Sequence, residues 1–173
     1  FLTHGITRDY KDREKNASHY YEMVDLGYNY RIPDLLCALG ISQIDKLDKF
    51  IKRRQEIAGI YDKAFSSLRK YFVPLKQKFE SAYHIYVIKL NLDNLKVDRD
   101  IIFKALKAEG IGVNVHYMPI HLHPYYKNKL NTFEGMMPEA EKVYKQIITL
   151  PLFPLMSQND INDVTNALNK VIL

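Results

Sequence analysis

One row of residues constrains this chain more than any other feature. Ile44, Leu47, Ile51, Ala58, Tyr61, Phe65 and Leu68 recur at helical spacing, and Arg54 fills the single gap. Such a row runs along one face of an α-helix. A helix of this kind must bury that face against another layer. Pro33 suits a first helical position, where its missing N–H costs nothing, and Asp34 places negative charge in the first turn. The pattern predicts a long helix over residues 33–70. Gly40 and Gly59 weaken it, and a break would fall near Gly40. Arg54 either snorkels or pairs with an acid from elsewhere.

On either side the patterns are shorter. Residues 20–26 read as a β candidate that ends at Gly27, and residues 28–32 as a connector. Residues 83–90 are β-branched and aromatic without a breaker, which predicts a strand. Residues 91–96 read as a loop. Asp98 can cap a helix over 99–109, with Ile101, Ile102, Ala105 and Leu106 facing inward and Gly110 ending it. Residues 111–117 alternate: Ile111, Val113, Val115 and Tyr117 share one face, Gly112, Asn114 and His116 the other. Strand, helix and strand in this order predict a small, mainly antiparallel sheet in a split unit. Residues 118–137 read as a long loop, and Pro138 opens a helix to about Ile148. The segment 150–154 is an apolar connector. Ser157 and Asp160 form a capping-box start to a last amphipathic helix carrying Ile161, Val164, Leu168 and Val171. The fold class is α/β, of the α+β kind. The expected organisation is a residual segment over 1–32, a connecting helix over 33–70 and a small C-terminal domain over 71–173.

Bulk numbers narrow the function classes. The 173 residues suffice for one domain with a real core. The net charge of +5 favours an anionic ligand such as a phosphate or a nucleotide sugar, but is too small and too dispersed to indicate nucleic acid. No apolar run reaches the length of a membrane span. The single cysteine, Cys37, excludes an internal disulfide and a multi-cysteine zinc site, so a reducing, cytoplasmic setting is expected. The chain opens on Phe1 without a helix cap, and reads as the tail of something that begins earlier.

Two constellations carry possible chemistry. In Gly27-Tyr28-Asn29-Tyr30-Arg31-Ile32-Pro33 an extended connector feeds a helix N-terminus. Asn29 and Arg31 can both donate to phosphate oxygens there, or Asn29 can simply bond local backbone. The second is His116-Tyr117-Met118-Pro119-Ile120-His121-Leu122-His123. Its three histidines suggest a metal, with His121 and His123 as an extended ligand pair, but no acid or cysteine lies among them. No metal is therefore expected. Contact with a polar substrate and a solvated surface loop both suit His116 and Tyr117. His84 and His19 read as satisfied structural histidines, and His4-Gly5 as a turn. Most of the thirteen tyrosines should be half-buried with a wet hydroxyl.

In their order and spacing these segments resemble the DegT/DnrJ/EryC1/StrS family of sugar aminotransferases. The resemblance rests on His4-Gly5-Ile6, Gly27-Tyr28-Asn29-Tyr30-Arg31 leading into the helix, and residues 53–61 and 81–87. It continues through Gly110-Ile111, His116-Tyr117-Met118-Pro119-Ile120-His121 with Pro124, and Leu150-Pro151-Leu152 with Pro154. It covers nearly the whole chain and is nearest to bacterial transaminases that make aminated deoxy sugars on a nucleotide carrier, such as those of the pseudaminic acid pathway.

The resemblance implies the C-terminal part of a fold-type I enzyme that uses pyridoxal phosphate (PLP). The family's Schiff-base lysine would lie upstream of His4-Gly5, so this chain alone should be inert, with no catalytic residue of its own. The resemblance also implies a homodimer with shared active sites. Asn29, with Arg31 beside it, would reach the PLP phosphate of the partner subunit, and His116 and Tyr117 would lie near the sugar-nucleotide substrate. The amino donor would be glutamate. Two other readings stay open: a PLP-dependent sugar dehydratase of the same family, decided by an upstream residue, and a non-catalytic αβ binding module.

Overall fold

Between Ile44 and Leu47 the predicted long helix breaks. A computed structural model, which describes residues 4–6, 14–15, 21–75 and 79–173, shows two helices instead: α1 (Asp34–Ile44) and α2 (Leu47–Ala64). The break falls at Asp45 and Lys46, not at Gly40, which continues α1. The Asp45 amide still reaches the Ile41 carbonyl (3.3 Å), but the Lys46 amide turns to Gln43 (3.1 Å). The chain divides into two units at the same place, Phe1–Leu47 and Asp48–Leu173.

In the first unit α1 has no buried residue. Leu35, Leu36, Leu39, Ile41 and Ile44 are all more than half exposed. Residues 21–26 do not form the expected strand. They contribute one isolated bridge, Met23 to Ile6. The His4-Gly5 turn is present, with φ of +59° and +66°. Its glycine is obligatory, because a Cβ on Gly5 would stand 1.9 Å from the Asp25 carbonyl oxygen. His19 and Tyr20 lie outside the described residues.

The second unit holds the core. The helical stripe is buried only from its middle onward, at Ala58, Tyr61, Phe65 and Leu68, joined by Ile57. After a 3-10 turn at Ser66–Leu68, β1 (Phe72–Pro74) pairs antiparallel with β2 (Tyr86–Leu90), Phe72 opposite Leu90. Strand β2 pairs antiparallel with β3 (Ile147–Leu150), Tyr86 opposite Leu150, so the sheet order is β1-β2-β3. Phe72, Tyr86, Ile88, Leu90, Ile148 and Leu150 bring this sheet into the core. Burying each such side chain contributes roughly 1.5–3 kcal/mol.

Several sequence boundaries move. Strand β2 starts at Tyr86 because Tyr83 sits at φ +46° and its amide bonds the Ser81 hydroxyl (3.0 Å). The loop at 91–96 contains a 3-10 turn, Leu92–Asn94. Helix α3 (Arg99–Ala108) is capped by Asp98 as expected, but Ile101 is half exposed, and Ile102 and Leu106 face the core. Residues 111–117 alternate in burial at their start yet make a single bridge, Asn114 to Thr149. The Val113 amide folds back onto the Ile111 carbonyl (2.9 Å), which bends the segment away from a ladder. The strand that joins β2, straddling the end of the span read as helix and the start of the connector, is β3. Helix α5 (Pro138–Tyr144) ends short of it. The long loop is itself structured, with a 3-10 turn at Ile120–Leu122 and α4 (Pro124–Leu130). Helix α6 (Gln158–Ile172) has the full Ser157–Asp160 capping box and lies against α3.

Candidate functional site

The connector before α1 is shaped by close backbone approach. The His4 amide bonds the Tyr28 carbonyl (2.8 Å) and the Val24 amide bonds Gly5 (2.9 Å). A Cβ on Gly27 would meet the Gly5 nitrogen at 2.0 Å, so the two glycines fit only each other. Tyr28 and Tyr30 then stack face to face, centroids 4.7 Å apart. Asn29 and Arg31 alternate with this stack and are exposed. Their side chains make no hydrogen bond or ion pair with another described residue. Pro33 occupies the N-cap and supplies no side-chain bond to the first turn of α1.

His116 and Tyr117 belong to the second unit. The His116 Nδ1 lies 2.9 Å from the Thr149 hydroxyl on β3. Asn114, two residues earlier, exchanges both backbone hydrogen bonds with Thr149, at 3.1 and 2.7 Å. The Tyr117 ring meets the His116 ring edge-on, centroids 4.5 Å apart, and is otherwise exposed. The peptide between the two residues is cis. His116 is half-buried.

Residues of α2 pin the segments before β2 and after β3. Among the described residues Arg54 pairs with no acid. Its guanidinium donates to the carbonyls of Tyr83 (3.2 Å), His84 (3.2 Å) and Leu152 (3.0 Å). The Tyr61 hydroxyl donates to the Pro151 carbonyl (2.9 Å), and burial pushes its pKa above the ordinary tyrosine value, with Asp160 adding to the effect. The Tyr86 hydroxyl donates to Asp62 (2.7 Å), and burial, then that carboxylate, keep it protonated far above the usual range. His84 is exposed, and its backbone rather than its ring is held.

The histidines of the loop separate. His121 is buried, its Nε2 2.7 Å from a Glu141 carboxylate oxygen, while His123 is exposed. Glu141 also accepts from the amides of Gly135 (2.8 and 3.0 Å) and Met137 (3.3 Å). The Thr132 hydroxyl donates to the His121 carbonyl (2.7 Å). Among the described residues no three histidine, cysteine or acidic side chains are grouped to hold a metal. Sequence reasoning missed Glu141 and Thr149. Glu139 and Glu141 both stand in the first turn of α5, and only the fold turns Glu141 inward. Thr149 fell between the helix expected to about Ile148 and the connector expected over 150–154.

The same order of segments recurs in known proteins. The pattern of the DegT/DnrJ/EryC1/StrS aminotransferase family matches residues 1–169. The spore coat polysaccharide biosynthesis protein SpsC of Bacillus subtilis is 37% identical over 172 residues, covering 98% of this chain and 44% of SpsC. A UDP-4-amino-4,6-dideoxy-N-acetyl-beta-L-altrosamine transaminase of Campylobacter jejuni is 37% identical over 153 residues, covering 87% of this chain and 40% of that enzyme. The structure of Helicobacter pylori PseC, an aminotransferase of pseudoaminic acid biosynthesis, superposes with a TM-score of 0.85 at 27% identity, over 99% of this chain and 44% of PseC. The chain thus spans less than half the length of these relatives. PLP is the cofactor of the family. With its motifs in family order and its fold shared with PseC, this chain is a member of the DegT/DnrJ/EryC1/StrS aminotransferase family.

Proposed function

We propose that this chain is the C-terminal portion of a PLP-dependent aminotransferase that moves an amino group from glutamate to a keto sugar carried on a nucleotide. The observation that carries this reading is the family match over residues 1–169, shared with relatives named as sugar transaminases. The cytoplasm is the expected setting, and no described helix is long and apolar enough to cross a membrane. The lysine that binds the cofactor covalently is assigned to the preceding part of the whole protein.

The donor set fits a phosphate. Asn29 offers an amide N–H and Arg31 a planar guanidinium, both exposed and without a partner among the described residues. When bound, PLP supplies the electron sink of the reaction. Asn29 and Arg31 hold its phosphate, and in a homodimer they do so for the partner subunit's site. His116 and Tyr117 orient the sugar nucleotide, with Tyr117 presenting an exposed ring and hydroxyl.

In the whole enzyme Asn29→Ala removes a hydrogen bond to a charged group, worth roughly 1.5–3 kcal/mol. PLP affinity should fall about ten- to a hundred-fold, measured by cofactor titration. Mixed dimers test the assignment in trans. One subunit lacks the covalent lysine and the other carries Asn29→Asp. Heterodimers should recover up to about half of normal dimer activity, because one site has both intact parts. Heterodimers that form without recovering activity mean that Asn29 serves its own subunit or only structure.

A further inference from the structure

We propose that Thr149 is a positioning residue that holds His116 as the tautomer with its proton on Nε2, ready to donate to the substrate. The inference rests on the reading of His116 as a substrate contact. Thr149 is 5% exposed and sits on β3 between Ile148 and Leu150, both buried. A hydroxyl in such a place is costly unless its proton finds an acceptor. Its backbone groups are both committed to Asn114. Among the described residues, the partner of its side chain is His116 Nδ1 at 2.9 Å.

The direction of that bond follows from the inventory. A threonine hydroxyl has one proton to place, and here one acceptor to place it on. Thr149 therefore donates, and Nδ1 is the bare nitrogen. In a neutral imidazole the proton then resides on Nε2. That nitrogen has no partner among the described residues, on a half-buried ring braced by the Tyr117 edge. An Nε2–H donor suits an acceptor-rich ligand: a keto oxygen, a sugar hydroxyl or a phosphate oxygen of the nucleotide.

The experiment uses the whole enzyme and combines kinetics with a ring readout. Thr149→Val keeps the shape and removes the donor. It should lower kcat/KM about ten-fold, with Thr149→Ser restoring it to within about two-fold. In a His116→Ala background Thr149→Val should add nothing, since the residue acts through the ring. Losses that multiply in the double variant would overturn the proposal. Nitrogen-15 NMR of labelled histidine should show His116 protonated on Nε2 in the unsubstituted enzyme, with that preference lost in Thr149→Val. A proton on Nδ1 in the unsubstituted enzyme refutes the assignment even if the variant does not fold. Unchanged kinetics for His116→Ala would instead refute the substrate contact. The NMR then decides alone: a ring unaltered by Thr149→Val ends the positioning role, and an altered one upholds it.

Discussion

Glu141 accepts from one histidine and two backbone amides. The His121 bond, then the Gly135 and Met137 amides, hold its carboxyl below the ordinary glutamate range, against the opposing effect of burial. A depressed carboxylate pKa adds stability that is fully present above the unfolded value and lost as pH falls through the folded one. The expected acid limb of stability therefore starts in the ordinary glutamate range and continues below it. Glu141→Gln should flatten that limb and lower the neutral-pH midpoint, measured by urea unfolding between neutral pH and about pH 3. An unchanged limb would show that other carboxylates govern it. This pair was invisible in the sequence because its halves lie twenty positions apart on separate elements. Arg54 was likewise placed on the right helix face, but its three carbonyl acceptors come from two distant segments.

At the scale of elements, local chemistry was legible and pairing was not. Asp98 and Ser157 cap α3 and α6 as read, because a cap is decided within four residues. Ser157→Ala should cost about 1 kcal/mol by removing the bond to the Asp160 amide, checked by the denaturant midpoint of the variant. A change well below that would mean that Asp160 alone secures the helix start. Strands β1 and β3 have three and four residues, too few to show a period, and β3 is buried at every position. Alternation over 111–117 promised a strand, yet an alternating segment needs a neighbour along its length. The bend at Val113 leaves it only Asn114 for that purpose.

At the scale of the molecule, the core of the described residues is gathered in one unit. Every residue of the described core cluster, from Ile57 to Ile172, falls within Asp48–Leu173. Residues 48–173 should therefore unfold in one cooperative transition with the midpoint of the 173-residue chain, followed by circular dichroism in urea. A lower midpoint or a broadened transition would show that Phe1–Leu47 contributes to that stability. The family was legible because its segments keep their order along the chain, a property of sequence that survives errors in strand assignment. The α1 helix shows the limit. Its apolar residues have no polar opposite face, so periodicity singles out no face for burial, and none of its residues is buried.

The bond between His121 and Glu141 also acts as a clasp on the chain between them. With both ends of that excursion fastened, the cost of closing it rises slowly with length, by about 0.6 kcal/mol for each doubling. Residues can be added between the two anchors at little energetic expense, while His116 stays fastened to β3 by its own separate bond. The clasp thus separates the length of that excursion from the placement of His116.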